Sequence, residues 1–280
     1  MFQEMEKAGV ARLLCAVREK RPLVHCLTNY VTVNDCANAL LAVGAAPVMA
    51  DDSGEAAEIA AIADAVVLNI GTLNAGTIPS MFAAGKSAAA LGRPVVLDPV
   101  GAGASRLRTE TALRLIAEIP FAVIRGNASE IKTLSAGSGS TRGVDADERD
   151  LAAGGLEALG AMACSLARKT GAVVAVTGPT DILSDGKRGA AVRNGHPLMS
   201  RITGSGCMLS AVIGGFCGAS PDRLFEAVAA ALCALGLAGE QAAQCAGSQG
   251  TGSFRTALID SLSRMDEATL AGGMKLERFA

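Results

Sequence analysis

Four short apolar runs limit what this chain can become. They are Ala65-Val66-Val67-Leu68-Asn69-Ile70, Val95-Val96-Leu97, Ala122-Val123-Ile124 and Val173-Val174-Ala175-Val176. None carries a charge, so none offers a face to water. A strand of that kind needs cover on both faces, as inside a parallel sheet. Helical stretches fall between the runs, at about 78–91, up to about Ile119, and about 149–169. Strands alternating with helices predict an α/β fold with a doubly wound, mostly parallel sheet. Right-handed crossovers put the strand carboxyl ends at one edge, where ligands bind in such folds. Asp98, Arg125, Asn127, Glu130 and Thr177 all follow or end strands, so they are expected to meet there.

The rest of the chain fits the same pattern. An amphipathic helix is expected from about Gln3 to Lys20, and the last dozen residues are expected to fray. Asp185-Gly186 and Asn194-Gly195 are turn signals around short strands and predict an antiparallel edge hairpin. Ser135 to Gly143 is rich in Gly and Ser and reads as a flexible loop. The α/β pattern continues on both sides of it, so residues 1–280 read as one domain.

Half the residues are apolar and 19% are charged, which excludes extensive disorder. Net charge is -2 and the Lys and Arg residues are dispersed, so no nucleic-acid partner is implied. No apolar run reaches the roughly 20 residues of a membrane span without Gly, Pro or charge. The first residues lack a signal-peptide block, so a cytoplasmic protein is expected. Eight cysteines form no Cys-x-x-Cys pair; at least six are expected to be reduced and buried.

Thr203-Gly204-Ser205-Gly206-Cys207-Met208-Leu209-Ser210 is the best candidate for chemistry. Backbone N–H groups of a Gly-rich turn and of the helix after it, expected from about Cys207, form an anion cradle. Gly204, Ser205 and Gly206 would make the anion hole, with Cys207 at its lip, where a helix start favours reactive-thiol chemistry. A plain loop with Cys207 as apolar filler is the competing reading. Other motifs fail. Gly85-Lys86-Ser87 lacks the earlier glycine of a P-loop, and Gly101-Ala102-Gly103 lacks the third glycine of a dinucleotide fingerprint. No Gly-x-Ser-x-Gly elbow exists. His25 lies on an apolar strand and reads as structural before catalytic. What remains fits phosphoryl transfer, which needs charge neutralisation, positioning and often a proton acceptor. Asp98 and Glu130 can serve Mg²⁺ directly or through water, and Arg125 can serve a phosphate. Each also has a structural reading: Asp98 as a turn cap, Glu130 as a helix start, Arg125 as a surface residue.

The chain resembles the hydroxyethylthiazole kinase family of the ribokinase-like superfamily, from about residue 11 to 262. The resemblance rests on Thr28-Asn29-Tyr30-Val31-Thr32-Val33-Asn34, Pro47-Val48-Met49-Ala50-Asp51, Asn69-Ile70-Gly71-Thr72-Leu73 and Leu97-Asp98-Pro99-Val100-Gly101-Ala102. Arg125-Gly126-Asn127-Ala128-Ser129-Glu130-Ile131, Val176-Thr177-Gly178 and the cradle itself complete it. It implies a three-layer α/β/α ribokinase-like fold. It implies phosphorylation of 4-methyl-5-(2-hydroxyethyl)thiazole with ATP and Mg²⁺ for thiamine salvage, by a homotrimer with active sites between subunits. By the same resemblance Met49 and Gly204 contact the thiazole, with Asn29 close by. Arg125 and Thr177 contact ATP, Asp98 and Glu130 lie near Mg²⁺, and Cys207 stands where related sugar kinases carry an Asp base. That cysteine argues against a pyrimidine kinase or a nucleotide-repair dehydratase of the superfamily. No missing polar residue supports a binding protein that has lost catalysis.

Overall fold

A computed structural model describes residues 3–4, 7–136 and 155–279. Most of the predicted 135–143 loop, and the predicted helix start near Arg149, lie outside the described residues. The strands are β1 (Gln3–Glu4), β2 (Leu23–Leu27), β3 (Ala46–Val48), β4 (Ala65–Asn69), β5 (Val95–Asp98), β6 (Val123–Asn127), β7 (Val173–Thr177), β8 (Asp181–Ser184), β9 (Gly189–Val192) and β10 (Leu276–Phe279). They form one ten-stranded sheet, in the order β1-β10-β9-β8-β7-β6-β5-β4-β2-β3. From β3 across to β7 all neighbours are parallel; β8, β9, β10 and β1 continue antiparallel.

The helices follow as α1 (Lys7–Lys20), α2 (Val33–Val43), α3 (Ala56–Ile62), α4 (Thr77–Ala90), α5 (Arg106–Glu118), α6 (Ala128–Ala136), α7 (Gly155–Thr170), α8 (Ser205–Ala219), α9 (Leu224–Ala246), α10 (Thr251–Arg264) and α11 (Glu267–Gly273). Successive strand residues point to opposite faces. Val67, Val96, Val123 and Ala175 therefore enter one apolar core, with α1, α2 and α8 to α11. Val66, Leu68, Val95, Leu97, Ile124 and Val174 enter the other, with α3 to α7. The all-apolar strands are thus covered on both sides, as their composition requires, in a three-layer α/β/α arrangement.

Several expectations are corrected. The last residues do not fray: α11 and β10 are ordered, because Leu270, Met274 and Leu276 are buried and β10 pairs with β9. The β8–β9 hairpin is present, yet it is not an edge, since β10 and β1 pair beyond it. The first helix starts at Lys7, after the short strand β1. Four cysteines are buried, not six or more; Cys15, Cys164 and Cys207 are half-buried, Cys245 is exposed, and all eight are free. His25 is fully buried, with Nε2 2.6 Å from the Ala50 carbonyl oxygen. Burial lowers its pKa, which fits the structural reading. Gly85 is a packing glycine: a Cβ there would lie 2.5 Å from Ile119 Cδ1. Among the described residues, only α9 is long and apolar enough to cross a membrane, and 78% of its most apolar window is buried in the fold.

The helix that carries the cradle, α8, lies close against the sheet because it has no side chain at Gly214. A Cβ there would sit 2.6 Å from Val67 Cγ2 and 3.0 Å from Val24 Cγ1. Gly214→Val overpacks this contact and is expected to lower stability by about 1–3 kcal/mol. Urea unfolding measures it; an unchanged midpoint would show that the helix shifts freely.

Candidate active site

The cradle turn enters α8 at Ser205, two residues earlier than expected. Gly204 caps the helix with φ 84°, a conformation that other residues adopt only with strain. A Cβ at Gly204 would also lie 2.6 Å from Thr32 Cγ2, so close approach demands glycine as well. The first helical bond runs from the Met208 N–H to the Gly204 carbonyl oxygen at 2.8 Å. The N–H groups of Ser205, Gly206 and Cys207 precede that bond and lack helical acceptors. They make the positive end of α8 an anion site.

Arg125, from β6, lies directly against this turn. A Cβ on Gly206 would come within 2.8 Å of both terminal guanidinium nitrogens. Its Nη2 donates to Thr177 Oγ1 at 2.7 Å, and Nη1 is 3.5 Å from Asp98 Oδ1. Nε is buried and has no hydrogen-bond partner among the described residues. Arg125 and Thr177 are therefore joined, and both face the helix start.

Asp98 ends β5 and is 1% exposed. Its Oδ2 accepts from Asn69 Nδ2 at 2.7 Å and Ser210 Oγ at 2.8 Å. Burial pushes its pKa up to about 6, against the pull of Arg125 and of these hydrogen bonds. Glu130 has a different place. Its Oε2 accepts from the Asn127 N–H at 2.8 Å, while Asn127 Oδ1 accepts from the Glu130 N–H at 2.8 Å. This is a capping box at the start of α6. Its Oε1 accepts from the Gly101 N–H at 2.8 Å, tying the loop after Asp98 to α6. Glu130 is thus the helix start that one reading of the sequence expected, with its carboxylate set beside the Asp98 loop.

Cys207 is half-buried in the first turn of α8. Its sulfur accepts from Asn29 Nδ2 and from Asn69 Nδ2, each at 3.2 Å. Asn29, Asp98, Arg125, Thr177, Gly204, Ser205, Gly206 and Cys207 are therefore one cluster. Met49 stands apart. It follows edge strand β3, half-buried against the α8 core, and joins none of these hydrogen bonds.

A cavity of about 560 Å³ opens beside the cluster. Arg125, Thr177, Ser205 and Gly206 line its polar end, and Pro179, His196, Met199 and Leu209 are among its other walls. Asp181 also lines it, accepting from the Gly178 N–H at 2.9 Å, and burial raises its pKa to about 6. The sequence reading missed Asp181, Asn69 and Ser210. Ser210 had a signal, since it lies four residues after Gly206 and hence on the same helix face. Asn69 had its position at a strand end and its place in the Asn69-Ile70-Gly71-Thr72-Leu73 motif, and Asp181 had no signal beyond its acidity.

A carboxylate, a guanidinium and a helix N-terminus gather at the carboxyl edge of a mostly parallel sheet in a ribokinase-like fold, an arrangement that can receive a phosphorylated ligand. A ribokinase-like superfamily protein of Enterococcus faecalis superposes with TM-score 0.60 at 13% identity, covering 95% of this chain and 99% of that one. It supports the fold alone. The chain belongs to the hydroxyethylthiazole kinase family, whose model matches residues 14–268. A relative from Ruminiclostridium cellulolyticum named hydroxyethylthiazole kinase is 52% identical over 258 residues, 92% of this chain and 93% of its own. The structure of the hydroxyethylthiazole kinase protein from Pyrococcus horikoshii is 40% identical with TM-score 0.87, covering 97% and 99%.

Asp98 links the site to stability. Its pKa rises from 3.8 to about 6 on folding, so the folded protein binds a proton there more tightly than the unfolded chain. That stabilisation is complete below about pH 4 and is lost as pH rises through 6, by roughly 3 kcal/mol at 1.36 kcal/mol per pKa unit. In metal-free buffer, Asp98→Asn is expected to melt above the parent at pH 7.5. The difference should shrink as pH falls from 6 to 4, as the parent takes up its proton. Thermal melts across that range measure it; a gap that stays constant or widens contradicts the assignment.

Proposed function

We propose that this kinase transfers the γ-phosphoryl group of ATP to the primary hydroxyl of 4-methyl-5-(2-hydroxyethyl)thiazole. The observation that carries the chemistry is Arg125 lying against Gly206, which aims a guanidinium and a helix N-terminus at one point. Phosphoryl transfer needs such convergent positive charge. The apolar-walled cavity that begins at Arg125 and Thr177 suits a nucleotide. Asn29, Gly204 and Met49, across the cluster, are the residues we assign to the thiazole. Cys207 is assigned as proton acceptor for the attacking hydroxyl, or as the group that orients it. The continuous sheet supports reading residues 1–280 as one kinase domain.

The residues present fit Mg²⁺. Among the described residues no three His, Cys, Asp or Glu gather as a resident metal site. Magnesium bound with nucleotide commonly needs only one or two carboxylates, with waters and phosphates completing its shell. Asp98 and Glu130 would hold it. Both Glu130 oxygens also accept backbone N–H groups, which would fix the carboxylate toward the ion, directly or through water. When bound, the ion neutralises phosphate charge.

A homotrimer with the thiazole pocket between subunits is part of this reading. Its support is the open edge at β3, which Met49 follows, and the large apolar side chains left exposed at the surface. Tyr30 is 78% exposed, Val31 54%, Leu41 60% and Ile62 66%. Light scattering at working concentration should give three times the monomer mass; a fully active monomer refutes it.

The direct test is a coupled ADP-release assay with the thiazole alcohol, ATP and Mg²⁺, with thiazole phosphate identified by mass spectrometry. Product above a no-enzyme control is expected, and its absence refutes the proposal. Cys207→Ala should lower turnover by roughly 10²- to 10⁴-fold, the usual worth of general-base help, with little change in ATP affinity. Cys207→Asp should keep substantial activity. An active Ala variant beside a folded but inactive Asp variant refutes the proton-acceptor role.

A further inference from the structure

Asn69 is the last residue of β4, is 2% exposed, and pairs in register with Asp98 on β5. Its amide has one orientation, and a backbone group sets it. Asn69 Oδ1 accepts from the Gly71 N–H at 2.9 Å. A backbone N–H can only donate, so that end of the amide is oxygen. The other end, Nδ2, then faces Asp98 Oδ2 at 2.7 Å and the Cys207 sulfur at 3.2 Å. The logic passes to Asn29. Asn69 Oδ1 is an acceptor, so the atom 3.0 Å from it must be the Asn29 amide nitrogen. That nitrogen also donates to the Cys207 sulfur, at 3.2 Å, while Asn29 Oδ1 accepts from Thr32 Oγ1 at 3.0 Å.

The directions of the bonds made by Asn69 and Asn29 thus follow from one backbone N–H. The sulfur is an acceptor from two amides, and Asp98 Oδ2 accepts from Asn69 and Ser210 together. Gly71 admits this packing, because a Cβ there would lie 2.9 Å from both Asn29 Nδ2 and Asn69 Oδ1. Only one backbone group needs the Asn69 side chain. Of its three other hydrogen bonds, one comes from Asn29, and the two it donates go to the two side chains that the proposed reaction uses.

We propose that Asn69 is a positioning residue for phosphoryl transfer, holding the Cys207 sulfur and the Asp98 carboxylate in one rigid frame so that the sulfur meets the attacking hydroxyl in a fixed orientation. This rests on the reading of Cys207 as the group that receives or orients that hydroxyl. Asn69 touches neither substrate in this role, so its loss acts on turnover rather than on binding.

The test is a double-mutant cycle read as separate kcat and KM values. Asn69→Leu matches the volume of the side chain and removes both donors. In the parent it is expected to lower kcat about 10²-fold, the scale of a misplaced reacting group. KM for ATP and for the thiazole alcohol should move less than about threefold. In a Cys207→Ala background the same substitution should lower kcat by at least about tenfold less than in the parent, because the sulfur it positions is gone and only its hold on Asp98 remains. Equal losses in both backgrounds, or a KM effect with kcat unchanged, overturn the proposal. Thermal midpoints report folding. If Asn69→Leu does not fold, Asn69→Ser replaces it: its hydroxyl can serve the nearby Gly71 N–H but is too short to reach the sulfur. A Cys207→Ala enzyme as active as the parent refutes the reading of Cys207 itself. It also overturns the proposal, because Asn69 would then have no reacting sulfur to hold. An impaired Cys207→Ala enzyme with additive losses overturns only the role of Asn69.

Discussion

The site depends on keeping one carboxylate, Asp98, out of water. A buried carboxylate is tolerated only where its oxygens are hydrogen-bonded or paired. Here three elements supply partners to the carboxylate at the end of β5: Asn69 from β4, Arg125 from β6 and Ser210 from α8. The partners do not fully offset desolvation, as the raised pKa of Asp98 records. Removing one partner would therefore disturb the others, since a half-satisfied polar network is worse than none. Sheet and helix are locked together at the point where chemistry is proposed.

That lock requires α8 to sit close. Gly206 lets the Arg125 guanidinium rest on the first turn, and Gly214 lets the middle of the helix approach β2 and β4. Between them, Ser210 reaches Asp98 at 2.8 Å. A helix held farther away would keep its N-terminus but lose its geometry toward Arg125. The abundance of small residues in this chain is what the close approach of charged groups demands.

Much of this could be read in the sequence. The all-apolar strands required cover on two faces, and alternating burial shows that they have it. Asp98, Arg125 and Thr177 stood at strand ends, so the parallel topology brought them together. Gly204 and Gly206 announced a close approach, though not that Thr32 and Arg125 would be what approaches. What was not legible came from tertiary pairing. Glu130 and Asn127 carry the spacing of a capping box, but only the fold reveals that the Glu130 carboxylate also holds Gly101. The order of the C-terminal residues depends on β9 being free to accept β10, which no local propensity encodes. Asp35 lies in the first turn of α2, and no local signal sets it apart. It is buried and ion-paired with Arg255, a residue far along the chain.

The antiparallel end of the sheet has a consequence for synthesis. Strand β9 is apolar and fully buried, and its outer side is covered by β10, which in turn pairs with Gln3–Glu4. While the chain grows from the ribosome, β9 emerges well before β10. During that interval its outer N–H and C=O groups form an uncovered strand edge, the kind that pairs with other chains. The residues that cover it, 276–279, emerge well after it, and they are paired in turn by Gln3–Glu4, which emerge early. The nascent protein is therefore most open to self-association in the short window before residues 276–279 appear, and dilution or a holding chaperone at that stage protects it more than any change near Cys207 could.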